Sequence, residues 1–431
     1  MIGSSLKHMG PPKIMRPRRL ELAILSSLMC WGTASPSTEV SAAAPNALAA
    51  PSPAIQELRR HMLDANVNTL TFHSMDSIFQ TRVVPPSGTV WELGRRDAAL
   101  DFTYQFEGKI HPATDILDGN FTNALLILKH GQIVYEKYLN DTRESTHFIS
   151  FSMAKSFLST LIGLAVADGA IHSLDDQLVV YLPELKGSGY DGVTIRQTLQ
   201  MRSSVAYEER YDFSAHPSQA QQVFENALVQ NKERFTYMAK DLKRDHPPGV
   251  AFNYSTMDTA VLGWMLERAI KRPIAGYMSE RLWQPLGMES YGFYIADGEP
   301  GVGRELSGMG YNAILRDYAR LGLMMLHGGR GGPNNAQIVP EDWIRRATAS
   351  VDIGPGMPGM PQDIRLGYGY QWWTLAGSRA YVALGLQGQF IFVDPATDTV
   401  VVKLSYFPPG NPKAEGEGLA FLVAASHWTP N

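Results

Sequence analysis

The sequence predicts an α/β fold of the α+β type, in which an antiparallel sheet is flanked by helices and joined by an all-helical lobe. Strand patterns lie near residues 124–135 and again after residue 365, whereas helical patterns dominate from about 165 to 350. Strands at both ends of a domain with helices between them favour one discontinuous sheet over alternating strand–helix units. A cleft between the sheet and the helical lobe is then the natural place for a site.

The first predicted strands form a hairpin. The apolar runs Ala124–Leu128 and Ile133–Tyr135 flank a short segment that contains Gly131. Glycine accepts the left-handed backbone that tight hairpin turns need, so the two runs are predicted to pair.

A long helix is predicted to follow. The apolar run Phe148–Phe151 leads into a helical pattern over Ser152–Asp168. Gly169 stands where a left-handed C-terminal cap belongs, because glycine adopts this conformation without a steric penalty from a Cβ.

The remaining predicted elements fall into a helical block and a strand block. The helical patterns cover Thr194–Met201, Met257–Ile270 and Ala313–His327. After a Gly- and Pro-rich loop, Gly354–Pro361, the strand patterns cover Tyr368–Leu375, Arg379–Leu384, Gln389–Val393 and Thr399–Tyr406, and a final helix is predicted for Gly416–His427.

The composition is that of an ordinary globular protein and excludes several classes of function. A chain of 431 residues can form one large domain or two ordinary ones. Its 38 Lys and Arg against 42 Asp and Glu give a net charge of −4, which offers no attraction to nucleic acid or to an anionic membrane. The single cysteine excludes an internal disulfide framework and a Cys-rich zinc site.

Patterns typical of metal and cofactor sites are missing from the sequence. The eleven histidines form no HExxH or other close ligand pair, and no Lys-Ser or Lys-Thr follows the glycines at 328–332. There is also no G-x-S-x-G nucleophile elbow. We therefore expect neither a metal nor a cofactor.

The first 44 residues have the three-part pattern of an export signal. A basic segment precedes the apolar stretch Leu22–Trp31, and small residues and prolines follow it. This stretch is shorter than the about 20 residues that span a bilayer, so no membrane span is expected. We predict a leader and the start of a linker over 1–44, an N-terminal extension over 45–115 and the main domain over 116–431. The protein would be periplasmic or secreted, and cytoplasmic if this leader does not function.

The candidate nucleophile is Ser152, in the segment Ser152-Met-Ala-Lys155. Three residues apart at the first turn of a helix, the two side chains are neighbours on one face. A neutral lysine amine can accept the serine proton as the hydroxyl attacks a carbonyl, and backbone N–H groups can hold the oxyanion. Because lysine has a pKa of about 10.4, this role requires burial or a nearby positive charge. The same spacing also occurs at Ser4–Lys7, so Ser152 could instead cap a core helix while Lys155 extends to solvent.

Longer segments around this pair resemble the penicillin-recognising serine hydrolases, the β-lactamase-related family. The resemblance runs from about residue 120 to 425 in the family's order, and it is strongest to the branch of 6-aminohexanoate-dimer hydrolases and class C-like esterases. The matching segments are Phe148–Phe157, Leu174–Leu178, Tyr181–Leu185, Pro248–Thr256, Leu282–Met288, Tyr368–Trp373 and Gly385–Gln389.

The resemblance implies a β-lactamase/transpeptidase-like fold and a serine hydrolase domain over 116–431. It makes Ser152 the acylated nucleophile, Lys155 its base and Tyr254 the residue that passes a proton to the leaving group. The oxyanion hole would consist of the backbone N–H groups of Ser152 and Leu386. The remaining implied contacts are with substrate, through Tyr211, Gly385 and Gln387.

Two departures from the family pattern bear on the substrate. Thr256 replaces the asparagine that helps true β-lactamases and transpeptidases bind the amide side chain of penicillins. Ala383 replaces the cation that usually helps hold the penicillin carboxylate. Both changes argue against efficient penicillin hydrolysis and leave the predicted Ser-Lys-Tyr set intact.

Three hypotheses for the function follow. The first is a serine hydrolase that cleaves a small-molecule amide or ester. The second is a β-lactamase or a D-alanyl-D-alanine carboxypeptidase. The third is a non-catalytic peptide or cell-wall binding module of the same fold, against which the intact Ser-Lys-Tyr set speaks. The sequence leaves the choice between amide and ester, the acyl group and the oligomeric state open.

Overall fold

The computed structural model describes residues 50–210, 216–298, 303–353 and 365–430. These residues contain thirteen α-helices and seventeen strands. These residues belong to one compact unit, Asn46–Asn431. The predicted leader, the loop Gly354–Pro361 and Tyr211 lie outside the described residues.

The strands and helices are numbered in chain order. The strands are β1 (Thr81–Val84), β2 (Gly94–Arg95), β3 (Thr103–Phe106), β4 (Lys109–Pro112), β5 (Thr122–Lys129), β6 (Gln132–Tyr138), β7 (His147–Ile149), β8 (Gly292–Ile295), β9 (Tyr311–Ile314), β10 (Arg330–Gly331), β11 (Ala336–Gln337), β12 (Val351–Asp352), β13 (Leu366–Tyr368), β14 (Trp373–Leu375), β15 (Tyr381–Gly385), β16 (Gln389–Asp394) and β17 (Thr399–Ser405). The α-helices are α1 (Pro53–His61), α2 (Asn68–Thr71), α3 (Met75–Ile78), α4 (Asp115–Asp118), α5 (Met153–Ala167), α6 (Leu178–Tyr181), α7 (Ile195–Leu199), α8 (Gln219–Val223), α9 (Thr256–Ile270), α10 (Ile274–Met278), α11 (Leu315–Leu326), α12 (Glu341–Ala347) and α13 (Pro412–His427). Short 3₁₀ or π turns cover Pro183–Leu185, Phe224–Val229, Tyr237–Lys240 and Ser279–Trp283.

A nine-stranded sheet forms the centre of the fold, in the order β12-β13-β14-β15-β16-β17-β5-β6-β2. It joins the early hairpin to the late strands through the β17–β5 pair, as the sequence predicts. Neighbouring strands pair antiparallel except β2 and β6, which are parallel, so the sheet is mixed at this edge.

The predicted hairpin is confirmed as β5 and β6. His130 and Gly131 form the turn with φ of +50° and +72°, the left-handed values that a two-residue hairpin turn requires. Every residue of β5 is buried, because both faces of the sheet are covered. Leu125 and its alternate neighbours face a core shared with α13, whereas Leu126 faces a core shared with α5 and α11.

The predicted long helix is also confirmed. Helix α5 follows Ser152, and Gly169 has φ of +75° just beyond its C-terminal cap. Almost all of α5 is buried, which fits its uniformly apolar sequence.

The stretch from 165 to 350 is not entirely helical, which corrects the prediction. Strands β8 and β9 pair there, and with β1 and β7 they form a four-stranded antiparallel sheet. Ala313, predicted to begin a helix, lies in β9, and the helix starts at Leu315. A buried strand of four residues cannot be distinguished from a helical segment by its apolar pattern alone.

Two boundaries near the C-terminus also differ from the prediction. The predicted strand Tyr368–Leu375 is two strands, β13 and β14, which are separated by a turn in which Gln371 has φ of +60°. The last helix begins at Pro412 and not at Gly416, because the Asn411 side chain accepts a hydrogen bond from the backbone of the first turn.

The region before residue 116 contributes strands to the nine-stranded and to the four-stranded sheet, although the sequence predicted no elements there. Strand β1 pairs with β8 and β2 pairs with β6. The buried Asn68 side chain donates hydrogen bonds to the Gln387 side chain and to two backbone carbonyls that follow β17. Among the described residues, no helix combines the length and the apolar character needed to cross a membrane.

Candidate active site

Ser152 is presented by a strained turn between β7 and α5. The Ser150 N–H donates a 2.7 Å hydrogen bond to the Tyr311 carbonyl, which fixes the start of the turn. Phe151 then has φ of +43°, a left-handed conformation that costs a non-glycine residue about 1–3 kcal/mol. Its buried ring packs edge-on against Phe72, with 4.8 Å between ring centroids. This packing holds the turn that places Ser152 at the N-terminus of α5.

The Ser152 hydroxyl does not serve as a helix cap. It accepts no hydrogen bond from the first turn of α5 and instead lies 2.9 Å from the Lys155 Nζ. Lys155 is only 1% exposed, so it does not extend to solvent. The alternative in which Ser152 caps a core helix and Lys155 extends to solvent is therefore wrong on both points.

The Lys155 amine is held by three hydrogen-bonding partners. Its Nζ lies 2.9 Å from each of the Ser152 hydroxyl, the Thr256 hydroxyl and the Gly308 carbonyl oxygen. Burial lowers the pKa of Lys155 to about 8, while the negative charge of Glu209 opposes this shift. The amine can therefore be neutral near physiological pH.

Glu209 fixes the direction of these hydrogen bonds. Its carboxylate accepts hydrogen bonds from both the backbone N–H and the hydroxyl of Thr256. Since the Thr256 proton goes to Glu209, the Thr256 oxygen must accept from Lys155. The Gly308 carbonyl accepts the second amine hydrogen. In the neutral amine, the lone pair is left to face the Ser152 hydroxyl.

Tyr254 lies beside Ser152. Its ring stacks on Trp373 with 5.4 Å between centroids, and the Lys155 Nζ lies 5.0 Å from the Tyr254 ring centroid. Burial raises the pKa of Tyr254 above its usual value, and a hydrogen bond with Ser152 works against that rise. The phenol stays protonated at neutral pH.

The turn after β15 approaches Ser152 from the sheet. Within the described part of the chain, neither the Ser152 N–H nor the Leu386 N–H donates a hydrogen bond, so both remain available to an oxyanion. A Cβ on Gly385 would lie 2.2 Å from the Ser150 carbonyl oxygen. Close packing between the backbones of Gly385 and Ser150 thus explains why a glycine occupies this position. The contact between Gly385 and substrate stays a prediction.

A cavity of about 340 Å³ opens at Ser152. Its wall is largely apolar and contains two carboxylates. The lining residues are Phe151, Ser152, Glu209, Phe252, Tyr254, Met309, Trp373, Leu384, Gly385, Leu386 and Glu415.

The structure brings most of the predicted site residues to this cavity, but not the Gln387 side chain. Gln387 accepts a hydrogen bond from Asn68 and donates one to the Leu63 carbonyl, and it is absent from the cavity wall among the described residues. Tyr211 lies outside the described residues. No group of three potential metal ligands occurs in the described ranges.

Sequence reasoning missed both carboxylates of the cavity. Glu209 belongs to the segment Glu208-Glu-Arg210, whose charges are typical of a solvated loop, and its contact with Thr256 spans 47 positions. Glu415 precedes the predicted helix start at Gly416. The sequence signal that could have indicated Glu209 is the family resemblance, because it implies that Tyr211, two positions later, contacts the substrate.

Comparisons with known proteins agree with this geometry. The Beta-lactamase family profile matches residues 121–425. A 6-aminohexanoate-dimer hydrolase of Paenarthrobacter ureafaciens is 30% identical over 307 residues, which cover 68% of this chain and 74% of that protein. A candidate D-alanyl-D-alanine carboxypeptidase of Escherichia coli is 26% identical over 181 residues, 38% of this chain and 41% of that protein.

Solved structures show the same fold. A candidate 6-aminohexanoate-dimer hydrolase from Bacillus anthracis superposes with a TM-score of 0.74 at 26% identity, covering 85% of this chain and 95% of that one. A penicillin binding protein from Bacillus halodurans has a TM-score of 0.54 at 18% identity over 72% of this chain and 99% of that one, a likeness of fold alone. The match over residues 121–425 and the 30% identical relative together show that this chain belongs to the Beta-lactamase family of serine hydrolases.

Proposed function

We propose that this protein hydrolyses a small amide or ester through an acyl-enzyme on Ser152. The observation that carries the proposal is the 2.9 Å contact between the Ser152 hydroxyl and a buried Lys155 amine whose hydrogens have other acceptors. A lone pair directed at a serine hydroxyl is the arrangement that general-base activation of a nucleophile needs.

Acylation begins when the Ser152 oxygen attacks the substrate carbonyl carbon and its proton passes to the Lys155 Nζ. The C–O bond forms as the carbonyl π bond moves onto oxygen, where the N–H groups of Ser152 and Leu386 hold the negative charge. Both donors are free of other hydrogen bonds within the described residues, which supports this role.

Collapse of this intermediate breaks the bond to the leaving group. Tyr254 donates its phenolic proton to the departing nitrogen or oxygen and is reprotonated from Lys155. The raised pKa of Tyr254 supports this relay, because the phenol is protonated when it is needed. Water then attacks the acyl carbon and loses a proton to the Tyr254–Lys155 pair. The bond between the acyl carbon and the Ser152 oxygen breaks, and Lys155 returns a proton to that oxygen as the carboxylic acid product leaves.

The proposed substrates are short linear amides or esters and not penicillins. Thr256 stands in the place of the usual asparagine, and its hydroxyl is already occupied by Lys155 and Glu209. Ala383 is buried and supplies no cation for a penicillin carboxylate. The relative from Paenarthrobacter ureafaciens, a 6-aminohexanoate-dimer hydrolase, supports a linear amide.

The deciding experiment is the intact mass of the protein after brief exposure to p-nitrophenyl butyrate. We expect a butyryl adduct on the wild type and none on Ser152→Ala. Ser159→Ala is the matched control, because Ser159 lies in the same helix and its buried hydroxyl has no hydrogen-bond partner among the described residues.

Each outcome separates the hypotheses. An adduct on Ser152→Ala would move the nucleophile elsewhere, and no adduct with no nitrophenol release would favour a binding module. Parallel assays with nitrocefin and with a D-alanyl-D-alanine peptide test the penicillin-related alternatives, for which we expect rates far below those for linear amides or esters.

A further inference from the structure

A short segment in the N-terminal region contacts both turns of the proposed oxyanion hole. This α2 segment, Asn68–Phe72, consists of α2 and the residue that ends the helix. The Beta-lactamase family profile matches from residue 121 onward, so the α2 segment lies outside the matched part of the chain. The matched part thus supplies both proposed N–H donors, and a region ahead of it contacts the two turns that carry them.

The α2 segment holds the turn that ends at the Ser152 N–H. The Phe72 carbonyl accepts a 2.9 Å hydrogen bond from the Ile149 N–H, three positions before Ser152. The Phe72 ring, which is 1% exposed, packs against the ring of Phe151, whose backbone is left-handed. The backbone and the side chain of Phe72 thus fasten this turn at two points.

The same segment holds the turn that carries the Leu386 N–H. The Asn68 amide nitrogen lies 3.1 Å from the Gln387 Oε1, and it also donates to two backbone carbonyls that follow β17. The Gln387 amide in turn donates a 3.0 Å hydrogen bond to the Leu63 carbonyl. Gln387 has φ of +56°, a left-handed conformation that a residue other than glycine keeps only with support from its surroundings. Because Leu386 directly precedes Gln387, these contacts restrict movement of the Leu386 N–H.

The two turns belong to different elements, so neither of them sets the distance between the two N–H groups. Ser152 ends the turn after β7, whereas Leu386 follows β15. An oxyanion is stabilised only when its donors point at the place where the charge develops, and loss of one donor typically lowers kcat by about 10²–10³-fold. Gly385 lets the turns approach but has no side chain to fasten them. Asn68 and Phe72 lie in one short segment, which therefore connects one turn to the other.

We propose that Asn68 is a positioning residue, through which the α2 segment holds the Leu386 N–H at the distance from the Ser152 N–H that an oxyanion requires. This inference rests on the proposed function, because the oxyanion belongs to that reaction. Asn68 is fully buried and does not occur among the described residues of the cavity wall, so it acts through Gln387 and not on the substrate. Loss of Asn68 should therefore weaken the binding of an oxyanion and leave the binding of an uncharged ligand unchanged.

Two matched inhibitors measure this difference. In butyl trifluoromethyl ketone, the carbonyl carbon bonds to the Ser152 oxygen, the π electrons move onto the carbonyl oxygen and the serine proton passes to Lys155, which leaves a bound oxyanion. The corresponding secondary alcohol has the same carbon skeleton and cannot form this adduct. We expect the wild type to bind the ketone more tightly than the alcohol. Asn68→Ala should weaken inhibition by the ketone by about tenfold and leave inhibition by the alcohol within about twofold of the wild type.

Single-turnover acylation by p-nitrophenyl butyrate gives a second readout. We expect Asn68→Ala to lower the acylation rate constant by about tenfold and to leave the half-saturating concentration of the ester nearly unchanged. Gln387→Ala breaks the same connection from the other side, so the double variant should be no slower than the slower single variant. Losses that multiply in the double variant would show that Asn68 does not act through Gln387, which would contradict the proposal.

Two controls separate positioning from stability. Asn66→Ala removes an exposed amide and should leave the affinities for both inhibitors and the acylation rate unchanged. Leu182→Ala opens a cavity at a fully buried position at the end of α6. This variant should destabilise the fold and keep the wild-type ratio of the two inhibitor affinities.

The outcomes distinguish this proposal from the proposed function. Equal losses of affinity for the ketone and the alcohol in Asn68→Ala would overturn the positioning role, and so would an unchanged affinity for the ketone. If Asn68→Ala yields no folded protein, Gln387→Ala has to show the selective loss for the ketone, and its absence there has the same consequence. A wild type that binds the ketone no more tightly than the alcohol would instead contradict the acyl-enzyme on Ser152.

Discussion

At the scale of single residues, the proposed reaction depends on the protonation state of Lys155. Burial lowers its pKa to about 8, and in the proposed mechanism the neutral form of the amine accepts the Ser152 proton. At pH 7 roughly a tenth of the amine is neutral, and above pH 9 nearly all of it is.

We therefore predict that kcat/KM for a neutral ester rises by about tenfold between pH 7 and pH 9 and then levels off. The rate increases with pH because the fraction of Lys155 in the neutral form increases with pH. Initial rates with p-nitrophenyl butyrate, corrected for spontaneous hydrolysis, measure it. A flat profile over this range would contradict the role of Lys155.

In the proposed mechanism Glu209 positions the hydroxyl of Thr256, and an isosteric change tests this role. In Glu209→Gln the amide can donate to the Thr256 oxygen, which would turn the Thr256 hydroxyl toward Lys155 and occupy the lone pair. We expect a loss in kcat of about tenfold to a hundredfold. Loss of the negative charge should also move the rising limb of the pH profile to lower pH, because Glu209 raises the pKa of Lys155.

Two variants control this test. Glu208→Gln changes the adjacent carboxylate, which pairs with Arg210 at the surface, and should leave both kcat and the pH profile unchanged. Glu209→Asp keeps a carboxylate, which can accept hydrogen bonds but not donate them. This variant should therefore retain more activity than Glu209→Gln. If the pH profile of Glu209→Gln has its rising limb at the same pH as that of the wild type, Glu209 has only a structural role.

At the scale of elements, α5 is held in place by close contact with α12. A Cβ on Gly163 would lie 2.5 Å from the Trp343 ring, so no side chain fits between the helices without movement. We predict that Gly163→Ala destabilises the protein by about 1–3 kcal/mol despite its better helix propensity.

Denaturant unfolding measures this change, and Gly276→Ala is its control. Gly276 lies in α10, and a Cβ there would meet nothing within 4 Å. That variant should be neutral or stabilising by up to about 1 kcal/mol. Equal effects of the two substitutions would contradict the predicted clash.

Helix α2 stabilises the turn that carries Leu386. The buried Asn68 amide donates to the Gln387 side chain at 3.1 Å and to the carbonyls of Tyr406 and Phe407. Asn68→Ala should cost about 2–4 kcal/mol, because it leaves these acceptors buried without a donor. The matched control is Asn66→Ala, at an exposed position, which should be within about 0.5 kcal/mol of the wild type in the same unfolding assay. A neutral Asn68→Ala would show that the turn is held without this contact.

At the scale of the whole molecule, the N-terminal region is part of the folded enzyme. It supplies β1 to the small sheet and β2 to the edge of the central sheet. The buried Arg59 on α1 donates hydrogen bonds to the Leu228 carbonyl and to the Asn231 side chain, far along the chain. The residues ahead of α1 are those of the predicted leader and linker.

We predict that the full chain, expressed in a Gram-negative bacterium, is exported and cleaved between about residues 34 and 44. The measurement is the intact mass of the protein recovered from the periplasm. Leu25→Arg places a charge in the apolar core of the leader and should leave an uncleaved protein in the cytoplasm. Full-length wild-type protein in the cytoplasm would contradict the prediction.

Local sequence was sufficient to predict the hairpin of β5 and β6, the extent of α5 and the pairing of Ser152 with Lys155. These features depend on residues that are close in the chain, where apolar periodicity and helical spacing apply directly. The family resemblance added the order of the later segments and the place of Tyr254.

The other features of the site depend on tertiary contacts, because they join residues that no local pattern relates. Folding buries Lys155, which lowers its pKa, and brings Glu209 to Thr256 across 47 positions. It also turns the Gln387 side chain toward Asn68 and places Glu415 in the cavity wall. The positions of the residues around Ser152 thus depend on packing between distant elements, whereas the contact between Ser152 and Lys155 depends on a single turn of helix.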